Sequence, residues 1–182
     1  MMRAAARLLR FARDRRGVSA VEFALVAPMM IALYFGCVEV SDGVAVDRKV
    51  SLTSASLANL VAQSTALSST DMSNVLDAAT AIIQPYSSSN LKMTVSCLSI
   101  DASKNVTTKW QATRNGGTGM SISVPTDLKL ANTQLILAQV SYAYKPIVGF
   151  NITGTLTLSD QMFMMPRISA PTYPTSSTKC GS

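Results

Sequence analysis

Glu22 is a carboxylate set inside apolar sequence, in the stretch RRGVSAVEFALVAP that runs from Arg15 to Pro28. An acid near the end of a membrane-spanning helix costs about 1 to 3 kcal/mol unless it reaches the interface or meets a cation. It is therefore either a tolerated interfacial acid or one half of an ion pair. The neighbouring residues favour the second option. Arg15, Arg16 and Gly17 precede it, and hydrolysis after Gly17 would remove the leading arginines and leave a new ammonium on Val18. Glu22 would then be a strong acid near a helix N-terminus, where the helix dipole favours negative charge. The ammonium of a neighbouring chain could reach it there, and two opposite charges together in lipid cost less than either alone. Such chemistry belongs to a subunit whose helices stack against one another.

Elsewhere the reactive residues do not assemble into a motif. The chain has no histidine, which excludes Ser-His-Asp and Cys-His arrangements and HExxH metallopeptidases. Asp71, Asp77, Asp101, Asp127 and Asp160 fall in separate elements with no paired motif to support acid/base work. RNGGTG, from Arg114 to Gly119, has the glycines of a phosphate loop but neither its Lys-Ser or Lys-Thr ending nor its strand-to-helix setting. Asn-Gly and Gly-Gly mark turns, so a flexible hairpin loop is expected there. The sequons at Asn105 and Asn151 fit surface turns and arise often by chance. Cys37, at the edge of the apolar run, reads as a small packing residue. Cys97 and Cys180 both fall beyond the run, where a disulfide would staple the C-terminal tail to a strand; pairing and free thiols both stay open. Two cysteines without histidine make a poor zinc site. No enzyme, cofactor or metal site is expected.

The elements that position these residues follow from charge and hydropathy. The 182 residues are 48% hydrophobic and only 14% charged, rich for a wholly soluble domain. The formal charge of +6 is concentrated at the start: Arg3, Arg7, Arg10, Arg13, Arg15 and Arg16 face only Asp14, and the remainder is close to neutral. A nucleic-acid reader needs its cations over a folded face, so no nucleic-acid partner is expected. From Val18 to Val40 only Ser19, Glu22 and Glu39 interrupt the apolar run. As a helix it would extend about 30 Å, the thickness of a bilayer core. The positive-inside rule keeps the basic leader, 1–17, in the cytoplasm and places the rest outside. A cleaved secretory signal shares this outline, but the run exceeds the usual core of about 7 to 15 residues and no A-x-A site follows. Gly36 and Cys37 would suit a lipoprotein signal, although Tyr34 stands where a small aliphatic residue is favoured. The Arg-rich start also resembles a mitochondrial presequence, a less economical reading with a spanning segment directly behind it.

Past the span, Val46, Val50, Leu57, Leu60 and Val61 continue at helical spacing, which carries the helix to about Ala66. A second helix should begin near Thr70, with Met72, Val75, Leu76, Ala79 and Ile83 as its stripe and Pro85 as its stop. The period then changes, and strands are expected over 91–100, 106–113, 135–144 and 154–164. The fold class is α+β: one N-terminal transmembrane helix (18–40) extended into an exterior domain (41–166), with helices packed on an antiparallel sheet of about four strands. A Pro-, Ser- and Thr-rich tail closes the chain (167–182). Pro28 removes one helix hydrogen bond and is expected to kink the span.

RRGVSAVEFALVAPMM resembles the N-terminus of the TadE/TadG-like family, pilin-like minor components of the tight-adherence (Flp-type) pilus. Arg15, Arg16, Gly17, Glu22, Phe23, Pro28, Gly36 and Glu39 carry the likeness, and the segment from Gln139 to Arg167 looks like the family's C-terminal sheet region. The resemblance implies processing between Gly17 and Val18 by a prepilin peptidase, with Glu22 as the assembly carboxylate beside Phe23. Phe23 replaces the tyrosine of the major Flp pilins, and the large exterior domain also departs from them, which implies a minor component. The implied partners are the inner membrane, other pilin-like subunits and the pilus assembly machinery. The implied location is the bacterial inner membrane, single-pass, with a periplasmic C-terminal domain and incorporation into a surface pilus open. An envelope protein whose exterior domain binds or senses a ligand without polymerising is the alternative. Glu22→Ala separates the two.

Overall fold

The computed structural model describes residues 17–147, 154–173 and 178–180. The arginines of the leader and the sequon at Asn151 lie outside them. The chain divides into two compact units, 1–41 and 42–182. Helix α1, Val18–Ala62, starts in the first and ends in the second.

In the first unit every described residue but Ala27 and Glu39 is exposed, including Phe23 at 71%, Leu25 at 75% and Met29 at 73%. The most apolar 18-residue window of α1 has a mean hydropathy of 2.0 and is 0% buried. A helix segment apolar on nearly every side, with none of its most apolar window buried among the described residues, is suited to lipid.

The second unit is α+β. From Val46 onward α1 buries Val46, Val50, Thr53, Ser54, Leu57, Ala58, Val61 and Ala62. That spacing of three and four puts them on one face. Leu60, grouped with the stripe by sequence, lies off it at 38% exposure. α1 ends at Ala62, four residues earlier than its pattern implies, because the backbone N–H of Arg167 takes the Ala62 carbonyl at 2.9 Å. Helix α2, Ser69–Ile82, opens on a capping box: the Ser68 hydroxyl accepts from the Asp71 N–H, and the Asp71 carboxylate accepts from the Ser68 N–H. Its buried face is Met72, Leu76 and Ala79, with Ile83 just beyond. At its far end the Lys49 ammonium of α1 donates to the carbonyls of Ile82 (3.2 Å) and Gln84 (2.6 Å), a cation on carbonyls that the helix cannot satisfy itself.

Four antiparallel strands follow: β1 (Leu91–Ile100), β2 (Val106–Arg114), β3 (Thr133–Tyr144) and β4 (Leu156–Met164), in the order β2-β1-β3-β4. β1 and β3 are central and buried on both faces. Leu91, Met93, Val95 and Cys97 of β1 join Ile136, Ala138, Val140 and Tyr142 of β3 in one core with the helix stripes. On the opposite face Leu98, Ile100, Leu135 and Leu137 form a second cluster under Val124. The β1–β2 register slips between Cys97 and Leu98, where Cys97 pairs with Trp110 but Leu98 with Thr108. The extra residue, Lys109, is a bulge. It sends Val106 to the second cluster and Trp110 to the first, although both occupy even positions of one strand.

RNGGTG is not the tip of a hairpin. It leaves β2 and starts a crossing to β3, on the far side of β1. Gly117 has φ +72°, and a Cβ there would stand 3.1 Å from both Thr94 Oγ1 and Thr113 Cγ2. Only glycine suits that backbone and that gap. The Thr118 N–H then donates to Thr94 Oγ1 at 3.0 Å, which holds the crossing against the sheet.

The C-terminal segment is pinned to the second unit. Thr172 exchanges backbone hydrogen bonds with Leu67 and Thr65, the Trp110 indole donates to the Pro171 carbonyl at 3.1 Å, and Tyr173 lies 5.4 Å from the Trp110 ring. Two short strands, β5 (Thr172–Tyr173) and β6 (Thr178–Lys179), pair and lead to Cys180, which is 0% exposed.

Candidate functional site

Gly17, Val18 and Glu22 lie within little more than one turn at the start of α1. Among the described residues no atom stands within 4 Å of a Cβ built on Gly17, so none of them covers the peptide between Gly17 and Val18 on that side. Val18 is 49% exposed, and Glu22, four residues on, shares its face of the helix. Among the described residues Glu22 makes no hydrogen bond and no ion pair. The first turn of α1 holds no acid; Glu22 opens the second. The dipole's support fades within the first turn, so a cation from outside the unit has more to offer this carboxylate than the helix has. Phe23 projects beside it. Pro28 lies within α1 and leaves the Ala24 carbonyl without its usual amide donor, yet the helix continues to Ala62.

The other reactive groups do not join this site. The Cys97 and Cys180 sulfurs are bonded, with Cα atoms 5.8 Å apart and both side chains in the main core. That separation is ordinary for a disulfide. Cys37 is a free, exposed thiol.

Four acids of the second unit are committed to local structure. Hydrogen bonds from the Ser68 side chain and backbone hold the Asp71 carboxyl below its ordinary range, and those from Asn105 do the same for Asp101. Asp77 pairs with Arg114. Asp160, on β4, accepts from the buried Ser54 hydroxyl at 3.0 Å. Burial raises Tyr86, with smaller contributions from the charges of Asp42 and Tyr142. Among the described residues no three acids or cysteines are grouped to hold a metal ion.

Residues 17–58 match the model of the TadE-like protein family. Over that stretch the chain is TadE-like. Comparison with curated proteins and with solved structures gives no match. The TadE-like segment takes in the Gly17–Val18 peptide, Glu22, Phe23, Pro28 and most of the buried α1 stripe, and stops before the sheet. The matched segment includes most of the one helix among the described residues that is long and apolar enough to cross a membrane.

The contacts of Lys49, Ser54 and Asp160 were not legible in the sequence. Lys49 reads in sequence as one member of a charged Asp-Arg-Lys step, and only the position of the α2 C-terminus reveals its role. Ser54 had a signal in principle: a serine on the apolar spacing of a helix needs a buried partner.

Proposed function

We propose that the chain is a minor pilin, or pilus assembly subunit, of a tight-adherence (Flp-type) secretion and pilus system. The first unit inserts in the bacterial inner membrane with the leader in the cytoplasm and the α+β unit in the periplasm. A prepilin peptidase cuts between Gly17 and Val18. Glu22 then receives the ammonium of a neighbouring pilin-like subunit, while Phe23 and the residues around the Pro28 kink pack against that neighbour's helix. The observation that carries this reading is a carboxylate with no partner among the described residues, one turn after the Gly17–Val18 peptide, in the exposed apolar half of α1.

Glu22→Gln keeps the shape and removes the charge. At unchanged membrane abundance it should abolish filaments counted by electron microscopy, and mass spectrometry of the native chain should show Val18 at the mature N-terminus in cells with the peptidase only. Filaments at native number in the Glu22→Gln strain would leave the non-polymerising envelope protein as the better reading.

A further inference from the structure

We propose that the second unit carries a saccharide site in the open cleft between the C-terminal half of α2, the loop that follows it and the end of β2. The cleft has a volume of about 620 Å³, within the range of about 300 to 1,000 Å³ usual for small-ligand sites. Asp77 and Thr80 of α2, Gln84, Tyr86 and Ser88 of the loop, and Arg114 of β2 supply its polar lining. Its walls are fixed before any ligand arrives. The Lys49 ammonium holds the carbonyls of Ile82 and Gln84, and the Asn115 side chain donates to the carbonyls of Ser88 (3.2 Å) and Leu91 (2.7 Å). Tyr86 is half-buried against the main core. A preformed site gives up little freedom on binding. The inference rests on the second unit alone and holds whether or not the subunit polymerises.

The charges of the lining decide the class of ligand. Arg114 is its cation and Asp77 its carboxylate, and the two are paired with each other. An anion would find no unneutralised cation there, and a cation no unneutralised acid. The apolar part of the lining is Ala81, Pro85 and the Tyr86 ring, too little to bury an apolar ligand or to seat the alternate side chains of an extended peptide. A neutral ligand rich in hydroxyls fits. One guanidinium N–H of Arg114 donates to one Asp77 oxygen. Among the described residues, the second Asp77 oxygen accepts no hydrogen bond and the remaining guanidinium N–H groups donate none. A carboxylate only accepts and a guanidinium only donates, so an acceptor and donors stand side by side. Neighbouring hydroxyls of a sugar ring, each both donor and acceptor, match that pair. Gln84 and Ser88 add an amide and a hydroxyl of the same mixed character, and the Tyr86 ring adds an apolar face.

The test uses the full chain in a polyoxyethylene detergent, which carries neither sugar nor charge. Maltose, cellobiose and N,N′-diacetylchitobiose are the probes, methyl phosphate and tetraalanine the controls, each titrated by saturation-transfer difference NMR. At least one disaccharide should bind saturably at millimolar concentration. Asp77→Asn replaces a charged acceptor by an amide and leaves Arg114 unneutralised, so it should weaken that binding about tenfold or more. Ser88→Trp fills the cleft and should abolish it, whereas Asp127→Asn, outside the lining, should leave it native. Asp77 and Ser88 are exposed, and native unfolding midpoints by circular dichroism establish that the variants fold. Binding by none of the disaccharides, or binding that survives both Asp77→Asn and Ser88→Trp, overturns the proposal. Methyl phosphate or tetraalanine binding more tightly than every disaccharide, and lost in Ser88→Trp, overturns it in favour of an anion or a peptide.

Discussion

The two halves of α1 differ in apolar content and are opposite in environment. Residues 18–40 are apolar on every side and exposed, whereas residues 46–62 bury one stripe in the core of the second unit. The stripe of the latter half is interleaved with Arg48, Lys49, Ser51 and Ser56, while the former has no polar face at all. A helix in water needs a wet side, and a helix in lipid needs none. The contrast sets Glu22 apart: in the half that has a polar face an acid is ordinary, and in the half that has none it is an exception.

The contrast can be broken most strongly from the second unit. Cys97→Ser removes a crosslink that closes a separation of 83 residues, which by loop entropy contributes about 4 kcal/mol. Denaturant titration of the purified chain, followed by Trp110 emission, should show that loss in the second unit, while retention in membranes stays native. Next in size, Leu57→Ala in the buried stripe should cost about 2 to 5 kcal/mol in the same titration. Leu25→Ala, a similar truncation in the exposed half, should change it by less than about 0.5 kcal/mol. Equal effects would mean that the two halves do not differ as described. The smallest effect sharpens the picture of α2. Ser68→Ala should cost about 1 kcal/mol through loss of the cap.

The cap also sets a pH dependence. Asp71 is held below its ordinary 3.8 in the folded state, so the unfolded chain binds a proton first as pH falls, and the stabilisation is complete above 3.8 and lost below it. Unfolding midpoints measured from pH 5 to pH 2 should drop in the native chain and drop less in Ser68→Ala.

Much of this was legible from periodicity. β1 begins and ends where its alternation does, and the α2 stripe from Met72 to Ile83 is the one that packs. What was not legible depends on connectivity. RNGGTG has turn chemistry, but whether a turn joins neighbours or starts a crossing is decided by which strand β3 pairs with, and local residues do not encode that. The Lys109 bulge is hidden for a related reason: Val106, Thr108, Trp110 and Ala112 alternate without a break, and only the register against β1 shows that they change face midway. The C-terminal segment is similar, since a Pro- and Ser-rich stretch reads as a tail until its partners Thr65, Leu67 and Trp110 are placed beside it. The candidate site was legible because it involves few long-range contacts: an acid, a Gly-Val step and an apolar run all lie within one stretch of chain.

The central claim is that Glu22 is present to meet a cation on another subunit. The most direct measurement is the share of the chain that co-purifies with other pilus subunits after mild detergent extraction, for native and Glu22→Gln proteins at matched membrane abundance. The account predicts that native protein is recovered with those subunits and that Glu22→Gln loses at least nine-tenths of that recovery, about 1.4 kcal/mol of association or more. Equal recovery of the two would contradict it.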